Sequence, residues 1–342
     1  MGLITMNFNE VKDGFEQLSE TEQKALLRLM QKKLFPSKHQ DLDDMIKDIR
    51  ETRFDGGLSC VHCGSVSVKR HGIYRGRQRY VCKDCKKTFT DTTATPVAGT
   101  HYPEKWVEFI RLMIAGTSLR KISNELDIHI STVFYWRHKT LRALRSLRFK
   151  VLKGIVETDD TFILESVKGQ KNITHRAPRI RGGKSKLRGL SNDQISILVA
   201  IDRNGSILSD VAGRGRLSAK EIDTVLSPFI EKDVLICSDS ATGFKSFAKI
   251  KGLKHEVLNA SKGARVKNKI FHIQHVNSYH ERLKDWMKRF RGVSTRHLNS
   301  YVYWFHFLES NKKLYSAVQT QTFVVQACKL ANRMTVTEFR AS

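Results

Sequence analysis

The sequence predicts a multidomain α/β chain in which a mixed-sheet core follows a small metal-stapled ribbon and a unit of three helices. Three observations carry this. Four cysteines stand as two C-x2-C pairs, "CVHC" and "CKDC", between residues 60 and 85. Helix signals alone fill residues 101–150. From residue 154 onward, short β-branched apolar runs alternate with helical segments.

The chain of 342 residues, with 40% apolar residues, is long enough for two or three domains with ordinary cores. Its 60 Lys and Arg against 34 Asp and Glu leave a formal charge of +26, an excess that points to a polyanion such as nucleic acid rather than a small acidic substrate. A merely soluble basic surface is the alternative. No uncharged apolar run reaches the roughly 18 residues of a membrane span, and the start "MGLITMNFNEVKDG" lacks the features of a secretory signal. A soluble cytoplasmic protein is expected, and six cysteines in that compartment favour metal or free thiols over disulfides.

Residues 1–50 read as an amino-terminal helical segment: Ser19 and Glu22 form a capping signal, Leu26, Leu27, Met30 and Leu34 follow at helical spacing, and Pro36 stops the run. Residues 51–100 read as a zinc ribbon. Each C-x2-C aims two thiolates at one point, and two such turns joined by a hairpin complete a tetrahedral site of Cys60, Cys63, Cys82 and Cys85 for one structural Zn²⁺. A redox pair is the weaker reading. Cys237 and Cys328 stand alone and read as core.

In residues 101–150, Trp106, Phe109, Ile110 and Met113 mark one helix, Ser118 caps a second, and Ser131 is expected to cap a third, basic one. A short helix, a turn and a capped basic helix is the pattern of a helix-turn-helix, with Ser131, Thr132, Tyr135, Arg137, His138 and Lys139 as exposed candidates for DNA contact. An ordinary three-helix packing unit is the alternative.

Residues 151–315 form the expected core. The runs "GIVETDDTFIL", "QISILVAID" and "SILSDVAG", the second hairpin closed by Asn204-Gly205, are followed by helix, strand "DVLICSD", helix, strand and a long helix near His275. That order is the order of the RNase H-like fold. In it the first and fourth strands are neighbours, so Asp159 and Asp239 meet across 80 positions. Two carboxylates at such distance repel unless cations bridge them; hard oxygen ligands with open positions suit two Mg²⁺ or Mn²⁺ and phosphodiester displacement. Val276, Tyr279, Leu283, Trp286, Met287 and Phe290 give the long helix an apolar stripe, while Asn277, Glu281, Lys284 and Lys288 share its polar face. Residues 316–342 read as a carboxyl-terminal helical tail that closes a core or mediates assembly.

The stretches "CVHC…CKDC", "VETDDTFI", "GGKSKLRGLSNDQISILVAIDRNG", "SDSATGFKSF" and "HVNSYHERLKDWMKRFRGVSTRHLNSYVYWF" resemble the bacterial insertion-sequence transposases of the family numbered fifteen ninety-five, which join a zinc ribbon to a DDE-type nuclease core. The resemblance spans about residues 55 to 309. It implies Asp159 and Asp239 as the first two catalytic groups. At the third, Asn277 stands where most relatives have Glu, as in a subgroup with an Asp-Asp-Asn set followed seven residues later by Lys284. Glu281, with Lys288 at the same distance beyond it, is the alternative third group. Glu157 is read as structural or as an auxiliary ligand. His272, His275 and His280 are candidates for phosphate contact or proton transfer.

The resemblance further implies binding of terminal inverted repeats and target double-stranded DNA, a homodimer on paired ends, and a bacterial, nucleoid-associated location. The Gly- and Lys/Arg-rich segment 167–189, with Arg181, Lys184 and Lys186, reads as a flexible loop or a phosphate-binding one. Two rivals remain: a catalytically inactive DNA-binding regulator, and a structure-specific nuclease.

Overall fold

The computed structural model describes residues 7–34, 40–74, 76–145, 147, 149–170, 172–179, 183, 185, 189–258, 266–332 and 334–341. The chain divides into two compact units: Met1–Ser146 with Asn311–Ala341, and Leu147–Ser310.

The first unit begins with α1 (Phe8–Glu16), α2 (Glu20–Leu34) and α3 (Gln40–Arg53). The capping signal before α2 is formed: Glu22 N donates to Ser19 Oγ at 3.4 Å, and Ser19 N donates to the Glu22 carboxylate at 3.0 Å. A three-stranded antiparallel sheet follows, of β1 (Val68–Tyr74), β2 (Arg77–Cys82) and β3 (Thr88–Phe89), in the order β1-β2-β3. Next come α4 (Trp106–Ile114), α5 (Leu119–Leu126) and α6 (Ile130–Arg145). Their shared core stacks Trp106 on Trp136, centroids 4.5 Å apart, with Phe109 edge-on to both. Ser118 caps α5 as its sequence suggests, accepting from Lys121 N. The third helix starts two residues earlier than expected, at Ile130: Thr132 N and Val133 N donate to His129 O, which places Ser131 inside the first turn rather than at the cap. After the second unit the chain returns through α11 (Ser316–Lys329) and α12 (Val336–Ala341), and α11 packs on α2, α3, α4 and α6.

The second unit holds β4 (Ile155–Leu164), β5 (Gln194–Asp202), β6 (Ile207–Arg214), α7 (Ala219–Leu226), β7 (Leu235–Ser238), α8 (Thr242–Lys251), β8 (Lys254–Val257), α9 (Gln274–Lys288) and α10 (Thr295–Ser310). Its five-stranded sheet runs β6-β5-β4-β7-β8, antiparallel across the first three strands and parallel from β4 to β7 to β8. The Asn204-Gly205 turn closes β5 onto β6, with Gly205 at φ +84°, a conformation glycine adopts without strain. Strand alternation gives the sheet two covered faces. Val156, Leu198, Ala200, Leu208 and Ile236 pack with Ile222 and Leu226 of α7 and Phe244 and Phe247 of α8. The helix α9 lies against β4 and β5 and α10 against β6, and the stripe residues Val276, Tyr279, Leu283 and Trp286 are buried. No helix among the described residues is long and apolar enough to cross a membrane.

Candidate active site and metal centre

The four thiols of the ribbon converge. Cys60 and Cys85 Sγ are 3.6 Å apart, Cys63 and Cys82 Sγ 3.7 Å, and all four sulfurs lie within 4.8 Å of one another. Tetrahedral Zn²⁺ with Zn–S bonds of about 2.3 Å sets sulfurs about 3.8 Å apart, so the donor set fits zinc. The two turns are built alike. Gly64 and Lys86, each just after the second cysteine of its pair, adopt φ of 78° and 59°. Backbone N–H of Cys85, then of Asp84, hold the Cys82 thiol down to about 6 against the opposing effect of burial, which favours the thiolate a metal takes. Tyr80 and Phe89 bury the cluster from beneath.

In the second unit, β4 and β7 pair with Glu157 opposite Cys237, an offset that puts Asp159 beside Asp239, the residue that follows β7. The two carboxyls interact. Burial first, then the charges of Asp239 and Asp160, push Asp159 up to about 7, against the pull of Lys284. Asp160 is pushed up to about 6 by burial and then by Asp239, with Arg216 opposing. Three carboxyl groups therefore share one patch, two from the middle of β4 and one just past the end of β7. Backbone fixes two of them: Asp159 Oδ1 accepts from Asp160 N and Asp239 Oδ1 from Ala241 N, both at 2.9 Å. A divalent cation would relieve their repulsion, and the all-oxygen donor set would suit a hard ion such as Mg²⁺ or Mn²⁺.

The helix α9 presents Asn277, Glu281 and Lys284 on its exposed face, and Lys284 is near enough to act on Asp159. Asn277 stands two turns before Lys284 on that face. Glu157 has a different role from a ligand in contact with solvent: it is 0% exposed, and its Oε2 accepts from His275 N at 2.9 Å and Val276 N at 3.4 Å. Since Ile273, at the start of α9, provides no side-chain cap, a carboxylate from β4 satisfies the helix's free N–H groups. His272 and His275 also turn to Glu157, while His280 is buried in the core, its ring held neutral down to about 3 by burial and then by Lys284.

The DNA-contact candidates divide. Ser131 is exposed, and Thr132, Tyr135 and Lys139 are partly so. Arg137 and His138, expected to be exposed, are buried at 2% and 4%. Arg137 donates to Thr117 O at 2.9 Å, and the His138 ring packs between Phe134 and Phe339 of α12. The local pattern of α6 gives no sign of a helix 200 residues later covering this face. Arg181, Lys184 and Lys186 lie outside the described residues. Basic neighbours in the same segment are committed to the core. Arg176 bonds Glu165 at 3.1 Å, Arg179 bonds Asp193 at 2.8 Å, and Lys168 Nζ donates to Phe290, Arg291 and Gly292 carbonyls beyond the end of α9.

Comparison with known proteins bears on residues that hold this site. A protein of the transposable element ISH50 of Halobacterium salinarum, itself described as uncharacterised, is 27% identical over 260 residues, 74% of this chain and 86% of its own length. Among solved structures, a pre-cleavage Mos1 transpososome aligns with 91% of this chain and 98% of its own at 10% identity and TM-score 0.22. A Mos1 mariner paired-end complex with Mn aligns with 86% and 97% at 12% identity and TM-score 0.20. The family profile of the ISXO2-like transposase domain matches residues 151–309, the span from before β4 to near the end of α10. Residues 151–309 therefore belong to the ISXO2-like transposases, the insertion-sequence family numbered fifteen ninety-five.

Proposed function

We propose that this chain is an active DNA transposase with an Asp-Asp-Asn site on an RNase H-like core. The single observation that carries the proposal is the convergence of Asp159 and Asp239 from paired strands of a strongly basic chain. The sheet order, with the first and fourth core strands adjacent, supports the RNase H-like reading. Asp159, Asp239 and the α9 residue Asn277, with Glu281 as the alternative, would hold two divalent cations. Such ions supply Lewis-acid chemistry at the scissile phosphodiester. Lys284, in charge range of Asp159, would bind a phosphate oxygen of the strand being cut.

Hydrolysis at each element end frees a 3′-hydroxyl, which then attacks target DNA by transesterification. No covalent protein–DNA link is required. Helices α4–α6 are proposed as a helix-turn-helix that reads the terminal inverted repeats with Ser131, Thr132, Tyr135 and Lys139, and the zinc ribbon adds sequence-independent phosphate contacts. Arg181, Lys184 and Lys186 are proposed to bind DNA beside the cut, and two copies are proposed to pair the two ends.

The test is cleavage of element-end DNA by purified protein in Mg²⁺ or Mn²⁺. Wild type should nick at the element boundary, and Asp159→Asn and Asp239→Asn should each lower the rate by at least about a thousandfold, as loss of a metal-bridging charge does. Protein that binds end DNA without nicking it in either ion is an inactive regulator. Cutting of branched DNA without need for element ends marks a structure-specific nuclease.

A further inference from the structure

We infer that Arg203 is a positioning residue of the proposed cleavage site: it locks Glu157 of β4 to the first turn of α9 and so sets where the metal-facing side chains of that helix stand. The inference rests on the two-cation reading above.

Arg203 stands in the β5–β6 turn, and the turn is stiff. Asp202, 3% exposed, accepts from Asn204 N at 3.0 Å and Ser206 N at 2.8 Å through Oδ1, and from Lys153 N at 3.2 Å through Oδ2. From this base the guanidinium reaches across to the start of α9. Its Nη1 donates to Glu157 Oε1 and lies 3.0 Å from His275 Nδ1 and 3.2 Å from His272 Nε2. Its Nη2 donates to Ile270 O at 2.7 Å. One side chain thus touches β4, the segment leading into α9 and the first turn of α9.

Glu157 is fully buried, so its charge is tolerable only while paired; removing the partner of a buried charge is far costlier than removing an exposed one. The same carboxylate holds His275 N and Val276 N, and Asn277 is the next residue. Asp159 lies two residues from Glu157 along β4. The frame therefore joins the strand that carries the first metal-facing carboxylate to the helix that carries the third ligand.

Glu157, His272 and His275 place ligand atoms within 4.8 Å of one another, a donor set that a transition metal also takes. Here the guanidinium stands against all three, where such an ion would bind. The cluster is an arginine-filled joint.

The experiment is Mn²⁺ binding to the full-length protein without DNA, read by electron paramagnetic resonance, with Asp159→Asn identifying ions bound at the proposed site. Arg203→Ala should weaken the Asp159-dependent binding about 10–100-fold, the usual effect of losing a group that orients metal ligands. Arg203→Lys keeps the charge without the planar fork and should recover only part of that loss; it also serves if the alanine variant does not fold. Unchanged Mn²⁺ affinity in a folded variant overturns the inference. So does an additional Mn²⁺ in Arg203→Ala that Asp159→Asn does not remove, since the joint is then a metal site. Wild type with no Asp159-dependent Mn²⁺ refutes the two-cation reading itself, and the inference with it.

Discussion

Asp159→Asn removes a charge and little else, so it isolates how much the carboxyl patch costs the metal-free protein. Burial, then Asp239 and Asp160, push Asp159 up to about 7, whereas an aspartate in an unfolded chain titrates near pH 4. Between those two values the folded chain holds a proton that the unfolded chain has released, so stability falls as pH rises through the window. About three pH units at about 1.4 kcal/mol each amount to roughly 4 kcal/mol. The carboxyl is partly exposed, and screening reduces the working figure to about 2 kcal/mol. Metal-free wild type should therefore lose about 2 kcal/mol more than Asp159→Asn between pH 5 and pH 8, measured by denaturant unfolding. At pH 8, Mg²⁺ or Mn²⁺ should restore wild type and leave the variant unmoved. Parallel pH curves for the two proteins would refute the shared-patch reasoning.

The remaining predictions separate ion holding, packing and DNA contact. Purified protein should carry one Zn²⁺ per chain by elemental analysis, and Cys82→Ser should abolish it and lower the thermal midpoint of the first unit, since the ribbon has little core beyond Tyr80 and Phe89. Burial opposes ionisation of Glu165, yet Arg214, His175 and Arg176 hold it down to about 2. Glu165→Gln should cost about 3 kcal/mol at neutral pH, a difference that fades as pH falls towards about 2, and identical denaturation at pH 7 would refute the ion-pair account. Arg137→Ala should lower the melting temperature, because its guanidinium is buried against Thr117 O. Lys139→Ala should instead weaken end-DNA binding in a gel-shift series, and undiminished binding would remove it from the contact set.

Much of the fold and part of the site are legible in residue spacing, because those parts depend on short-range rules. The Ser19 and Ser118 caps, the Asn204-Gly205 hairpin and the apolar stripe of α9 are set by 3.6- and 2-residue periods and by turn chemistry, and they form where those rules put them, whereas the Ser131 cap does not. The meeting of Asp159 and Asp239 is legible only with a topology in hand, since nothing local to either residue links positions 80 apart. What stays hidden has long-range partners. Arg137 and His138 read as exposed on a basic helix until the Thr117 carbonyl takes up the one and Phe339 covers the other. Lys168, Arg176 and Arg179 read as free cations until Glu165, Asp193 and the carbonyls after α9 take them up.

Glu157 shows why the site is only half readable. On β4 it is an inward residue two before Asp159, a place where the sequence alone admits both a structural carboxylate and an auxiliary ligand. Its burial, and the five polar groups around it, leave no room for ligation without breaking the start of α9. A carboxylate so fully engaged serves better as a joint than as a ligand, because its directed bonds fix the angle between strand and helix. At the opposite end of the same helix, Lys168 donates to three consecutive carbonyls from the residues just past β4. Strand and helix are thus clamped to each other at both ends by groups of opposite charge. In the proposed site that clamp would let a neutral asparagine serve as a metal ligand: with less electrostatic attraction to gather the ion, affinity would depend on ligand atoms already held in place.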